Sequence, residues 1–355
     1  MSDKKRGNGL IELYRFMFCM AVLFFHAEKY FLGEPGKLGA FKPYFFVHGA
    51  VGVEFFFVCT GFFLARSIRK RIKKDPGADL GKDTISFMLH KVKSIAPVHI
   101  VFFVLAFISL IIVRSMGITD IIKNSVSSVP AFFLVQMLGF TGFSPNHVSW
   151  YLSVMLISMF VIYPLARRYY SVFVRVVAPA LGMFILGYLF YKTGSLTGVM
   201  VRVGIFYKSL LRGFAEILIG LSVYEIAEWF KTYKNSRAKS ILITVFSILI
   251  VDSSWIYIMF TLSSKYEYLF VPISAVLLIF AYSEQGLLYN ALNNKLSVLL
   301  GKLTLPVYLS QVACINIIGH FGKDLSFAVQ TATLAVSVFA LSALYLAVSG
   351  RIIKK

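Results

Sequence analysis

The sequence predicts an all-α polytopic membrane protein of about ten transmembrane helices, with one short re-entrant or interfacial segment near residues 129–143. Three observations predict it. The chain is 58% hydrophobic and 15% charged, with a mean hydropathy of +0.77, far outside the range of soluble domains. Apolar runs recur along its length, most of them long enough to cross a hydrocarbon core about 30 Å thick. The basic residues, which give the chain a formal charge of +20, sort to one side once ten runs are threaded through a bilayer.

The first run, 10–32, follows Lys4, Lys5 and Arg6 and carries Glu12, Arg15 and His26. It is too long and too charged for the apolar segment of a signal peptide and reads as an uncleaved span. The second, 48–66, sets Gly49, Gly52, Gly61, Glu54 and Thr60 in an aromatic stretch, and the basic run Arg66–Lys74 follows it. That run matches a cytoplasmic loop, or a segment resting on anionic headgroups. The third span, 95–113, contains Pro97 and His99 just after Lys91 and Lys93. The fourth and fifth, 150–166 and 172–190, flank Arg167 and Arg168; the sixth, 204–226, holds Arg212 and Glu216 four residues apart. The seventh to tenth are 240–260 with Asp252, 268–283, 304–320 with Tyr308, Gln311 and Asn316, and 328–350.

Loop charge decides the status of 129–143. With ten spans and a cytoplasmic N-terminus, 24 basic residues fall inside and ten outside. If 129–143 crossed as well, Arg167 and Arg168 would face outward, so that stretch is expected to lie at the outer surface or re-enter, roofing a cavity. This placement predicts a multi-pass protein of the plasma membrane with both termini cytoplasmic, built as a single domain over residues 1–355. Topology and membrane lipids account for the charge, so a nucleic-acid partner is not expected. Cys19, Cys59 and Cys314 lie singly, which implies neither a disulfide framework nor a metal site.

Ionisable groups inside a membrane helix are costly, and each is a functional candidate. Arg15 and His26 are eleven residues apart, which brings both side chains to the same helix face about 16 Å apart along the axis. His26 suits a general base acting on an alcohol, or a hydrogen bond to a neighbouring helix. Arg15 stays charged and requires an anion: a phosphate, a developing oxyanion, or a carboxylate such as Glu12 or Glu54. For Glu54 the partners expected are Arg15 or the polar end of the third span. Arg212 and Glu216 fit an internal pair, with ligand contact by Arg212 as the alternative. Lys91 and Lys93 are placed to grip a phosphate at a cavity mouth. No phosphate-binding glycine loop, dinucleotide fingerprint or His-Glu-x-x-His motif occurs.

Three motifs together resemble the integral membrane acyltransferases of the acyltransferase-3 family, along nearly the whole chain. They are Arg15 and His26 with ten residues between them; Gly52 to Phe62, with Glu54 where aspartate is common and Thr60 where serine is common; and Trp150-Tyr151-Leu152-Ser153 at the fourth span. Lys91, Lys93 and Ser94 stand where many members carry two arginines before a proline, which replaces bidentate forks with point charges. Gln311 ends the Tyr308-x-x-Gln stretch where many members have histidine, which leaves hydrogen bonding but no proton chemistry there.

The resemblance implies an O-acyltransferase that moves an acyl group, most commonly acetyl, from cytoplasmic acyl-coenzyme A across the membrane to a hydroxyl of a glycan or lipid-linked sugar. It implies no bound cofactor and no metal. Its implied catalytic residues are His26, Arg15 and Glu54. Thr60, Lys91, Lys93, Trp150, Ser153, Arg212, Tyr308 and Gln311 are the implied donor- or acceptor-binding residues. The rival reading is a permease or flippase for a lipid-linked or small polar substrate, whose internal charges line a translocation path.

Overall fold

The computed structural model describes residues 7–33, 45–140, 142–260 and 264–352. Lys4, Lys5, Arg6, Lys37, Lys42, Lys354, Lys355 and the Arg351 side chain, all used in the charge count, lie outside the described parts.

Helix α1 (Gly9–Phe31) starts at Asn8, whose side chain accepts the Ile11 amide and so satisfies one orphan donor of the first turn. Helix α2 (Gly52–Lys74) runs on through the basic stretch until Asp75 and Pro76 end it. Helix α3 (Leu80–Arg114), capped by Asp79, has 35 residues and is about 50 Å long, so its first turns project beyond the hydrocarbon. This extension was hidden from the apolar pattern because its residues before 95 are mixed in polarity. Next come α4 (Ile118–Ser127), which buries none of its residues, and the single turn α5 (Val129–Phe132). Helix α6 (Trp150–Arg168) is followed by the short α7 (Tyr170–Val172), a π-helical turn over Phe173–Val177 and α8 (Ala178–Thr193).

A two-residue hairpin, β1 (Arg202–Val203) with β2 (Phe206–Tyr207), precedes α9 (Lys208–Lys231). The remainder is α10 (Arg237–Phe260), α11 (Phe270–Ser283), the short α12 (Leu287–Leu292), α13 (Lys295–Phe321) and α14 (Phe327–Ile352).

Among the described residues nine helical stretches are long and apolar enough to cross a membrane. The predicted sixth span, α9, is not one of them: every 18-residue window in it includes at least three of Lys208, Arg212, Glu216, Glu225, Glu228 and Lys231. It is nevertheless 24 residues long and packs within the bundle against α2, α8, α11 and α6. The segment 129–143 does not span. It breaks into α5 and a 3-10 turn over Gln136–Leu138, and it turns inward: His99 Nε2 donates to the Phe132 carbonyl (3.1 Å), and the Met137 amide donates to Ser153 Oγ (3.2 Å). This satisfies non-helical backbone at membrane depth from neighbouring helices.

Helix α2 is the hub, packed on α9, α6, α11 and α1; α13 joins α1, α3 and α14. Glycine allows the closest of these contacts. A Cβ on Gly61 would strike the Ile217 carbonyl, and one on Gly220 would strike the Val58 carbonyl, so the α2 and α9 backbones touch. Large apolar side chains such as Phe184, Leu242, Leu249, Val336 and Leu344 lie exposed on the outer faces of α8, α10 and α14, where lipid would cover them.

One end of the bundle, here the basic end, gathers Arg66–Lys74 with Arg167, Arg168 and Lys231. Part of that run is tied into the fold rather than left for headgroups. Asp83 accepts from Arg71 (2.5 Å), Arg167 (2.9 Å) and the Tyr163 hydroxyl (2.7 Å), and Glu225 accepts from Arg69 (3.2 Å), Arg175 (2.9 Å) and Tyr170 (2.9 Å). Lys73 and Lys74 remain exposed.

Candidate active site

Two cavities lie inside the bundle, with Tyr308 in the lining of both. The first, about 460 Å³, opens beneath the basic end and is lined by Arg15 and Glu12 of α1, Cys59, Phe56 and Thr60 of α2, Lys91 of α3, and Tyr151 of α6 with Tyr308 of α13. The second, about 510 Å³, lies toward the opposite end and is lined by His26, Lys29 and Tyr30, by Gln136, Met137 and Phe140 of the re-entrant segment, and by His147, Trp150, Arg212 and again Tyr308. Arg15 and His26 therefore do face one side of α1, but they open into two chambers with Tyr308 in the wall of both.

Arg15 takes Glu12, one turn before it, as its carboxylate (Nη1 to Oε2, 2.6 Å). Gly301 of α13 leaves room for that pair, since a Cβ there would run into the Glu12 carboxylate. Lys91 adds a second positive charge to the chamber, with its ammonium 5.7 Å from the Phe87 ring centre. Lys93 is exposed and not among the lining residues, so of the two lysines expected at a cavity mouth only Lys91 is there. An anionic ligand entering from the basic end would meet Arg15 and Lys91 with Glu12 already bound on one side.

His26 is held by Gln311. The Gln311 Nε2 donates to the Tyr308 carbonyl (2.7 Å), which can only accept, so the amide oxygen faces the imidazole. His26 Nδ1 lies 3.0 Å from that oxygen and must carry the proton. In the neutral ring Nε2 then keeps its lone pair, the arrangement a general base requires. Gln311 therefore acts on the histidine, through a role that the motif alone did not show.

Glu54 is buried and pairs with Arg212 of α9 (3.3 Å), not with Arg15 or α3 as expected. Arg212 accordingly does not form its ion pair with Glu216, its i+4 neighbour. The face of α9 that carries Arg212 packs on α2, which brings Glu54 within reach, while the fully buried Glu216 adjoins both groups. The guanidinium also sits 5.2 Å from the Trp150 ring centre and donates to the Leu196 carbonyl (2.6 Å). Neither carboxylate is among the residues lining the two chambers, so this cluster supports the site's wall. Ser153 likewise stays outside both chambers, committed to Met137. Thr60 bonds the Tyr151 hydroxyl (3.0 Å) at the inner end of the first chamber. Asp252 is on an exposed face of α10, and Asn316 donates to Ser109 of α3 (2.9 Å).

Three further residues, His147, Tyr30 and Glu267, help to build the second chamber. His147 stands with its ring 5.9 Å from that of His26, and its Nε2 is 3.1 Å from the Tyr30 hydroxyl, which places two imidazoles and a phenol together in the second chamber. Glu267 accepts the amides of Leu196 (2.8 Å) and Thr197 (3.2 Å) and so fixes a loop whose residues Thr197–Met200 line the same chamber. His147 precedes the Trp150 motif by three residues in an irregular stretch, where no periodicity marks a facing. Tyr30, one turn after His26 on α1, was legible by that spacing. Among the described residues no three His, Cys, Asp or Glu side chains are grouped to hold a metal ion.

A family model described as an acyltransferase domain matches residues 8–350. The chain belongs to the acyltransferase-3 family. It is therefore an acyltransferase with the family's general O-acyltransferase role, and the chambers around Arg15 and His26 are the candidate site of an acyltransferase-3 protein. Neither a curated protein nor a solved structure gives a significant match.

Proposed function

We propose that the protein transfers a short acyl group, acetyl first among them, from cytoplasmic acyl-coenzyme A to a hydroxyl of a glycan or lipid-linked sugar on the other side of the membrane. The observation that carries this reading is the pair of chambers with Tyr308 in both walls: one cationic and opening at the basic end, the other holding a histidine with a free Nε2. Excess positive charge marks the cytoplasmic side, so the donor chamber is the one that opens inward.

In the proposed reaction Arg15 and Lys91 hold the anionic donor, and the thioester reaches the Tyr308 wall. The acceptor oxygen attacks the thioester carbonyl carbon while His26 Nε2 takes the hydroxyl proton. As the carbon–oxygen bond forms and the carbon–sulfur bond breaks, the imidazolium returns that proton to the departing sulfur, giving ester and coenzyme A thiol. No proton is consumed overall, and a single base serves both steps. Binding the two substrates from opposite sides holds them in line and keeps bulk water from the thioester.

The test uses membranes containing wild type, His26→Ala or Arg15→Ala at matched protein levels, with radiolabelled acetyl-coenzyme A and a cell-envelope glycan extract. Label should enter the glycan with wild type, fall by about 10²-fold or more with His26→Ala, and fall strongly with Arg15→Ala. Equal labelling in all three would remove both residues from the chemistry.

A further inference from the structure

We propose that Phe56, Tyr151 and Tyr308 form a fixed aromatic partition that sets the length of the transferred acyl group, admitting acetyl and propionyl and rejecting butyryl and longer chains. The proposal rests on the transferase reading and assigns its acyl specificity to particular side chains.

The three rings come from three helices, α2, α6 and α13, and pack edge to face in every pairing. Their centres lie 6.0 Å apart for Phe56 and Tyr151, 6.4 Å for Phe56 and Tyr308, and 5.9 Å for Tyr151 and Tyr308. Edge-to-face pairs of this spacing attract beyond the area they bury. The polar tips are committed as well. Tyr308 donates to the Val148 carbonyl (3.0 Å), and Tyr151 donates to the Phe56 carbonyl (3.3 Å) while Thr60 bonds the same hydroxyl (3.0 Å). Phe56 and Tyr308 are buried, so swinging either ring aside would open a void, and moving Tyr308 would also break a buried hydrogen bond.

That rigidity has a consequence for the donor. The thioester carbonyl must reach the partition for a hydroxyl on the His26 side to attack it, and the acyl tail must then lie against these rings. On the donor side Leu152, Met155 and Leu305 flank these rings in a lining that continues through Phe63, Ile95, Met159 and Thr304. A longer tail directed at the partition meets rings held by their mutual edge-to-face contacts and, for the two tyrosines, by hydrogen bonds. In an apolar pocket one methylene discriminates by about 10- to 200-fold.

The experiment measures coenzyme A thiol release and ester formation by full-length protein in detergent, with a cell-envelope glycan extract as acceptor. Acetyl-, propionyl-, butyryl- and hexanoyl-coenzyme A are the donors, tested on wild type, Phe56→Ala and the milder Phe56→Leu. Wild type should prefer acetyl over butyryl by about 10-fold or more in kcat/KM. Both variants should compress that ratio, Phe56→Ala more than Phe56→Leu; the ratio is taken within each variant, so a loss of turnover common to all donors does not affect it. Wild type using all chain lengths equally, or an unchanged ratio in an active variant, overturns the partition while leaving the transferase reading intact. Absence of transfer from every thioester by wild type overturns the transferase reading and this proposal with it.

Discussion

The hydrogen bond between Gln311 and His26 decides which nitrogen of the neutral imidazole keeps its lone pair. Because Gln311 Nε2 is committed to the Tyr308 carbonyl, its oxygen is the atom left for His26, and Nδ1 donates to it over 3.0 Å. Replacing Gln311 with leucine removes the acceptor, leaves a buried N–H unpaired and frees the ring to take the wrong tautomer. The unpaired group alone is worth about 1–3 kcal/mol, so acyl transfer by Gln311→Leu should fall about 10- to 100-fold. The apparent affinity for the proposed acyl-coenzyme A donor should not change. Gln311→Glu, which retains an acceptor oxygen for Nδ1 but loses the donor to the Tyr308 carbonyl, should recover part of the rate, and steady-state kinetics on the two variants separates this orienting role from a packing defect. If Gln311→Leu retained full rate, the tautomer argument would fail. The same residue shows the limit of reading a site from sequence. The shared face of Arg15 and His26 was legible from their eleven-residue spacing on an apolar helix. The partners of Glu54 and Gln311 were not, since sequence spacing says which face a side chain occupies and nothing about which helix lies opposite.

Helix contacts depend on glycine where the backbones touch. At the α2/α9 crossing Gly61 and Gly220 each face a backbone carbonyl of the other helix, so a methyl group at either position has to push the helices apart. Backbone cannot move aside as a flexible side chain does. Gly220→Ala should therefore cost about 1–3 kcal/mol, lower the melting temperature of the solubilised protein, and reduce transfer by shifting Arg212 against Glu54 and Trp150. Gly187, inside α8 with nothing within 4 Å of an added Cβ, is the control. Gly187→Ala should leave activity unchanged and raise stability by about 0.5–1 kcal/mol. Equal effects at both sites would show that helix propensity and not backbone contact governs Gly220. Element positions were largely legible because the apolar runs are long and separated by charge. Helix ends were not, as α3 shows: its first fifteen residues have mixed polarity, are helical through the Asp79 cap and the Asp83 pairings, and contain no apolar run. That 129–143 forms no span was legible from charge balance, whereas its inward hydrogen bonds to His99 and Ser153 depend on tertiary contacts.

At the scale of the molecule, charge asymmetry and the two chambers imply one polarity, and both depend on α9 crossing the membrane. Helix α9 is the test case because its charges keep it outside the set of plainly apolar spans, although it packs against four helices of the bundle. Its internal charge is largely answered from within: Arg212 by Glu54, and Glu225 and Glu228 by Arg69 at the basic end. A helix whose ionised groups are paired inside the protein presents lipid with much less charge than its composition suggests. The crossing can be measured with single cysteines. The native Cys19, Cys59 and Cys314 are buried, so a membrane-impermeant maleimide should report added thiols over a low background. Lys73, Lys192 and Lys234 are exposed, at the end of α2, the end of α8 and the loop after α9. In intact cells Lys192→Cys should label, while Lys73→Cys and Lys234→Cys should label only after the membrane is permeabilised. If Lys234→Cys labelled together with Lys192→Cys, α9 would not cross, the spans after it would reverse, and the assignment of the Arg15 chamber to the cytoplasmic donor would lose its topological support.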